Sequence, residues 1–366
     1  MTTLAFILVS WRPDAPAGME RAVAAFAVGL AATGHHAVII TADRSAPTNY
    51  AGAPVVVLDT LTIPDPCGDD TLRAAIDAAG DELHDELLTI FTAHDVHAAV
   101  YVDGLWGLGR VMPTTGPIRR VLATHVIGHH IDMVAALRRT DVVIAPSAVV
   151  PQRASALGYD TTTWRVVPNA LLSHSQPPSA TRRRWLRAHG SIRVLSRLGP
   201  EKGVAELLAE AIGTRTQRRV EVALSAAGFE AGHRSQQQLL DACQALAHQS
   251  GAVIVPGLPW NRVPGWLAEA AVVIVPSLAE TFGLVALEAM SAATPVTAFD
   301  IDNLPALIGG GGSLVAREQG HLGLWRATED LLGDPLRYAQ ASRAAYDQAQ
   351  DYRPAHVADL LVKVVG

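Results

Sequence analysis

Val272-Val-Ile-Val275-Pro276-Ser-Leu-Ala-Glu280-Thr-Phe-Gly283-Leu-Val-Ala-Leu-Glu288-Ala-Met290 changes character twice within nineteen residues. The apolar run Val272 to Val275 reads as a strand, Pro276 ends it, and a helix opens near Gly283. This order predicts Glu280 in the loop at the strand end, with the amides of Phe282, Gly283 and Leu284 pointing into a crevice as helix N-terminal donors. Such donors favour anionic or hydroxyl-rich ligands. The plainer alternative is that Glu280 complements the helix dipole and Glu288 lies on a solvated face.

The same alternation extends outward almost from end to end, the pattern of βαβ units feeding parallel sheets. Upstream, Leu4–Val9, Ala37–Ile40, Val55–Leu58, Ala98–Val102, Arg120–Ala123, Val142–Ala145 and Arg165–Val167 read as strands; downstream, Ile192–Leu195, Val220–Leu224, Ala252–Val255 and Pro295–Ala298 join Val272–Val275. The expectation is an α/β chain of two Rossmann-like, doubly wound domains. The first spans residues 1–172, a polar and proline-containing linker covers 173–189, and the second domain spans 190–351. Pro354 interrupts the helical C-terminal stretch, and residues 352–366 are expected to cross back to the first domain. Ligand crevices of such sheets lie at the carboxyl ends of the strands, so a cleft between the domains is the expected site.

A chain of 366 residues is long enough for two cores, and 49% hydrophobic against 17% charged residues excludes a largely disordered protein. The net charge of −6 argues against nucleic-acid binding by phosphate neutralisation. No apolar run reaches the roughly 20 residues of a membrane span and the start lacks a basic leader, so a cytoplasmic protein without integral membrane association is expected. Cys67 and Cys243 are too few for a disulfide framework.

Lys202 and Lys363 are the only lysines, which singles out Ser196-Arg197-Leu-Gly-Pro-Glu-Lys202-Gly203 between the strand Ile192–Leu195 and the next helix. A glycine-containing turn with Arg and Lys five apart can bring two cations to one diphosphate. It lacks the GxxxxGK[ST] pattern of a P-loop, and taken alone the pair reads equally as two solvated charges.

Together, Arg197-Leu-Gly-Pro-Glu-Lys202-Gly203 and Glu280-x7-Glu288 resemble the retaining, metal-independent glycosyltransferases of family 4, with the GT-B fold. Ala17-Gly18-Met-Glu20-Arg, Gly34-His35, Asp141-Val-Val-Ile-Ala-Pro-Ser147 and Val167-Pro-Asn169 resemble other markers of that family. The resemblance implies that Arg197 and Lys202 hold the donor diphosphate and that Glu280 binds donor-sugar hydroxyls. It further implies that Glu288 takes the nucleotide ribose and that the amides at Phe282, Gly283 and Leu284 meet sugar and phosphate. Gly18 would let backbone amides approach the phosphate, and His125, in Ala-Thr-His-Val, would lie by the donor sugar in a catalytic-support role. The implied catalytic set is His125, Arg197, Lys202 and Glu280, with no metal and no cofactor; the nucleotide-sugar is a substrate.

The chain departs from the family in having a single Gly18, Pro168-Asn169-Ala170, and Asp302-Asn303-Leu304-Pro305-Ala306 where the family has Gly-Gly-x-Pro-Glu. Asp300-Ile-Asp302 matches the letters DxD but ends a strand in another architecture, and reads as loop polarity. His125, His129 and His130 admit a zinc reading, which lacks an HExxH motif; His35-His36 and His129-His130 read most simply as solvated. Gly104-Leu-Trp-Gly107-Leu-Gly109 has the wrong order for a dinucleotide fingerprint.

The expected reaction moves a hexose or amino-hexose from a nucleotide-diphosphate sugar, UDP favoured, to a hydroxyl of a small soluble acceptor. The acidic stretch Asp59, Asp65, Asp69, Asp70, Asp77, Asp81, Glu82, Asp85 and Glu86, with Arg73 alone opposing it, suits a cationic acceptor such as an aminocyclitol or aminoglycoside intermediate of natural-product biosynthesis; it reads equally as a solvated acidic helix. Arg182-Arg-Arg-Trp-Leu-Arg187 is the one cluster suited to an anionic lipid surface. The alternatives are a nucleotide-sugar epimerase and a non-catalytic nucleotide-sugar-binding protein.

Overall fold

A computed structural model describes the chain except residues 17, 65, 66, 106, 129, 174, 175, 215 and 227–232; for 233–235 it describes the backbone alone. It divides into two compact units, Met1–Ser173 with Tyr352–Gly366, and His174–Asp351.

The first unit contains β1 (Thr3–Leu8), α1 (Gly18–Ala32), β2 (His36–Thr41), β3 (Asn49–Tyr50), β4 (Ala53–Val57), α2 (Asp69–Ala93), β5 (Ala98–Val102), β6 (Arg119–Ala123), α3 (Ile131–Arg139), β7 (Val142–Ala145), α4 (Val149–Ala156) and β8 (Arg165–Val166). Among the described residues the strands form one sheet in the order β3-β4-β2-β1-β5-β6-β7-β8. Every pair is parallel except β3 with β4, a two-residue antiparallel edge. β1 is wholly buried, as a strand covered on both faces must be. β3 was not expected from the sequence, since two residues carry no readable alternation.

The second unit contains α5 (Ala180–His189), β9 (Ser191–Arg197), α6 (Val204–Thr214), β10 (Val220–Ser225), α7 (His233–Ser250), β11 (Val253–Pro256), α8 (Val263–Ala268), β12 (Ala270–Val275), α9 (Leu284–Ser291), β13 (Val296–Phe299), α10 (Leu304–Ile308), β14 (Gly312–Val315), α11 (Gly320–Gly333) and α12 (Pro335–Ala349). Its described strands form a parallel sheet in the order β11-β10-β9-β12-β13-β14. β14 is the strand that the sequence reading missed, because glycine is depleted in strands and Gly309–Gly312 reads as a breaker. Gly312 is instead the residue the sheet requires there: a Cβ on it would lie 1.8 Å from the Val296 carbonyl oxygen.

The central strands β9 and β12 of the second sheet both end at the loops singled out above, one leading to Lys202 and the other to Glu280. α5 packs into the same unit through Arg183, which is only 5% exposed and donates to the carbonyls of Ala268, Ala270 and Ala292. The other arginines of that cluster also have internal partners. Arg182 pairs with Glu269 and lies over the Trp185 ring, Arg184 bonds Thr181, and Arg187 donates to the Leu332 carbonyl.

The final helix, α13 (Pro354–Val365), belongs to the first unit and packs along α1. Gly29 of α1 makes that approach possible, since a Cβ there would lie 2.2 Å from the Pro354 carbonyl oxygen. Leu171 N–H donates to Tyr352 O at 2.8 Å, and Arg119 Nη1 to Gly366 O at 2.7 Å. No helix among the described residues is long and apolar enough to cross a membrane.

Candidate active site

In the second unit the two expected loops meet. Lys202 Nζ lies 2.5 Å from Glu280 Oε1, with the two side chains 16% and 17% exposed. Ser277 Oγ donates to the same carboxylate oxygen at 3.0 Å, which leaves Glu280 Oε2 without a hydrogen bond among the described residues. The backbones are joined as well, Leu278 N–H donating to Glu201 O at 2.8 Å.

This closeness depends on Gly203, which has φ 65° and would place a Cβ 2.3 Å from the Pro276 carbonyl oxygen and 2.7 Å from His321 Nε2. His321, at the start of α11, meets the Phe299 ring edge-on at 5.2 Å between centroids. Burial lowers its pKa, partly offset by the nearby Pro276 backbone and by Glu206 and Glu210, so it is a neutral wedge against both loops. Nothing in its local sequence separates it from other histidines.

Arg197 ends β9, and its Nη2 donates to Glu201 Oε1 at 2.5 Å. Each cation of this turn therefore faces a carboxylate. Glu201 was not singled out by the sequence reading, although its place between Pro200 and Lys202 was visible there.

Phe282 is buried, and Gly283 holds φ 102° as the residue that starts α9, with no side-chain cap on the helix amides. A Cβ on Gly283 would meet Leu304 Cδ2 at 2.8 Å. Leu284 opens the helix and is half-buried. Glu288, one turn on, is only 4% exposed, so the reading of it as a solvated face residue is wrong: α9 is covered by its neighbours. Asp302, read as loop polarity, accepts Glu280 N–H at 2.8 Å, and Asn303 Nδ2 donates to Phe282 O at 2.8 Å. The signal for both was the departure from Gly-Gly.

Gly18 and His125 belong to the first unit, Gly18 exposed as the first residue of α1 and His125 in the loop after β6. Desolvation pushes the His125 imidazole down to about 4, partly offset by the Asn169 side chain and the Ala123 backbone. Neutral at physiological pH, it can exchange hydrogen bonds without bringing a charge. Its loop is tied to the end of β5 by Asp103, which has φ 68° and is 2% exposed. Oδ1 of Asp103 accepts Gly104 N–H at 2.7 Å and Oδ2 accepts Val126 N–H at 3.1 Å. Burial raises this carboxyl to about 6 against the pull of those amides.

His129 lies outside the described residues, as do Ala17, Trp106 and Asp65. His130 caps α3, its Nδ1 accepting Asp132 N–H at 3.1 Å, and His35 Nδ1 accepts Thr2 N–H at 3.2 Å, so neither is merely solvated. No group of three metal-ligating side chains occurs among the described residues. Of the acidic stretch, Asp59 pairs with Arg44, Asp70 with Arg73 and Asp77 with Arg110, while Glu86 caps the amides of Asp59 and Thr60. Asp69, Asp81, Glu82 and Asp85 stay exposed on α2.

The whole chain is similar to solved structures. The sucrose-phosphate synthase of Thermosynechococcus elongatus superposes with TM-score 0.78 at 19% identity, covering 100% of this chain and 98% of that one. Anabaena Alr3699/HepE in complex with UDP and glucose superposes with TM-score 0.73 at 17% identity, covering 99% and 98%. These likenesses show the GT-B fold. Among curated relatives, a D-inositol 3-phosphate glycosyltransferase of Acidothermus cellulolyticus is 32% identical over 222 residues, 55% of this chain and 46% of the relative. Another, of Gordonia bronchialis, is 30% identical over 151 residues, 41% and 33% respectively. The chain spans less than half the length of these relatives. Residues 190–334, which hold Arg197, Lys202, Glu280, Glu288 and the Asp302–Asn303 turn, match the model of the glycosyl transferases group 1, so the likeness to that family lies in the second unit.

Proposed function

We propose that the chain is a retaining glycosyltransferase that moves a hexose or amino-hexose from a nucleotide-diphosphate sugar, a UDP-sugar before others, to a hydroxyl of a small soluble acceptor. The observation that carries this reading is the 2.5 Å contact of Lys202 Nζ with Glu280 Oε1, which joins a cation and a carboxylate from two adjacent strand ends of the family-matched segment. As the bond to C1 of the donor lengthens, charge grows on the leaving diphosphate. Arg197 and Lys202, with the uncapped amides of α9, are placed to take it by fixed electrostatics, and no metal is needed in this scheme. Glu280 Oε2 accepts from a sugar hydroxyl and Glu288 from the ribose. The acceptor hydroxyl attacks from the face the diphosphate leaves, and a departing phosphate oxygen takes its proton.

For the acceptor, one observation bears on the cyclitol ring and another on its charge, the exposed carboxylates favouring a cationic aminocyclitol over an anionic phosphate. Relatives are named for D-inositol 3-phosphate, and α2 exposes Asp69, Asp81, Glu82 and Asp85. The test is a mass-spectrometric screen of purified protein in EDTA with UDP-, GDP- and dTDP-sugars and pooled acceptors, beside Lys202→Ala and Glu280→Ala. A glycosylated acceptor formed without metal and lost in both variants is the expected result. A new nucleotide-sugar isomer formed without acceptor would instead make the protein an epimerase, and binding without turnover would favour a binding protein.

A further inference from the structure

The turn after β13 touches the Glu280 loop at three successive points. Asp302 Oδ2 accepts Glu280 N–H at 2.8 Å, Asn303 Nδ2 donates to Phe282 O at 2.8 Å, and Leu304 and Leu307 close over Gly283, leaving no space for a Cβ. The donor and the acceptor of the loop backbone on either side of Thr281 are thus both held by side chains. That fixes where the Glu280 side chain starts and how the peptide entering α9 is oriented.

Neither residue is placed as its local backbone would choose. Asp302 has φ 50°, a left-handed conformation that glycine enters without strain and aspartate at a modest cost. Asn303 stands at the start of α10, where an asparagine side chain ordinarily caps the helix amides, yet it makes no such cap and reaches to Phe282 instead. A Gly-Gly pair would satisfy this backbone but could make neither bond.

We propose that Asp302 and Asn303 are positioning residues for the sugar half of the donor site. By holding residues 280–282 they set the direction of Glu280 Oε2 toward the sugar. The Arg197–Lys202 turn, which takes the diphosphate, meets the same loop through Lys202 and Glu280 but has further ties of its own through Glu201 and Gly203, and so leans on the clamp less than the sugar half does. The inference rests on the donor-site reading above and adds a division of labour within it.

Calorimetry on the full chain separates the two ideas, because it reads binding without turnover. UDP, GDP and dTDP are titrated beside their glucose and N-acetylglucosamine forms, and the best-bound pair of diphosphate and nucleotide-sugar is carried to the variants. Asp302→Gly and Asn303→Ala are expected to bind the bare diphosphate within about twofold of the parent but to lose affinity for the nucleotide-sugar, about tenfold for Asp302→Gly, which removes a charge-assisted hydrogen bond, and about threefold for Asn303→Ala, which removes a neutral one. Asp302→Asn, which keeps an acceptor oxygen and tolerates positive φ, is expected to retain the parent's ratio. Equal losses for diphosphate and nucleotide-sugar in Asp302→Gly would make the clamp a general structural tie and overturn the inference. So would an unchanged ratio, with the donor reading intact in both cases. Failure of the parent to bind any of these compounds would overturn the donor reading itself, and the inference with it.

Discussion

Arg197 donates Nη2 to Glu201 Oε1 at 2.5 Å, a bond between two residues of one turn that engages the cation from within the loop. On the reading proposed here, an incoming diphosphate has to displace that carboxylate. Glu201→Gln is expected to bind the nucleotide diphosphate about three- to tenfold more tightly, since a neutral amide competes less with phosphate for the guanidinium. The Glu201 carbonyl bond to Leu278 N–H survives the substitution. Titration calorimetry at fixed ionic strength checks it, and weaker binding would mean that Glu201 orients Arg197 instead of occupying it.

Lys202→Ala is expected to lower kcat/KM for transfer by about 100- to 1000-fold, the scale of one lost contact to a charge growing in the transition state. Because Lys202 and Glu280 share one contact, the double variant Lys202→Ala/Glu280→Ala should cost less than the sum of the single changes. Steady-state kinetics of the four proteins, with thermal melts to confirm folding, measures that coupling.

Glu20, 6% exposed in the first turn of α1, has its carboxyl pushed up to about 7 by burial, with Asp43 adding to the rise and its own backbone amide and Arg12 opposing it. The folded chain keeps a proton that the unfolded chain releases above the ordinary carboxylate value, so this group lowers stability as pH rises from about 4.5 to 7, and the loss is complete above that range. Glu20→Gln should remove that slope and be about 3 kcal/mol more stable than the parent at pH 8. His125 acts in the opposite sense: its folded value near 4 lies below the ordinary 6.5, so between them stability rises with pH, and His125→Gln removes that rise. Urea midpoints at pH 5 and 8 for the parent and both variants test the two signs.

Gly29→Ala should destabilise the first unit by about 2 to 4 kcal/mol, because its Cβ would meet backbone atoms of Pro354 that cannot move aside. Gly213→Ala, with open space around it in α6, is the matched control and should be neutral or slightly stabilising. Differential scanning calorimetry distinguishes them.

The two sheets and the strand-end loops were legible because a buried strand announces itself as an apolar run and a βα turn as its punctuation. Lys202 stood out by rarity and Glu280 by its place before a helix start, and the structure puts them in contact. Glu201, His321, Asp302, Asn303 and Asp103 were not legible as supports. Glu201 acts on Arg197 four residues back; the others act through partners on other elements, and a hydrogen bond across some twenty residues leaves no trace in local periodicity. Asp302 came nearest, since an acid where the resembled family pattern has glycine is visible, but what it grips is not. The plainer alternative for Glu288, a solvated face, failed for a related reason: its burial depends on what covers α9, and neighbours in sequence do not report that.

The chain leaves the first unit after Ser173 and re-enters it at Tyr352. The helix that completes the packing of α1 is therefore synthesised after the whole second unit. During translation the second unit has every strand it needs while the first still exposes the α1 face that α13 will cover, so the family-matched half is expected to mature first, with the other half waiting on a C-terminal clasp. A stop codon just before Pro354 would accordingly injure the unit farther away in sequence, leaving the Lys202–Glu280 half able to fold beside an uncovered α1.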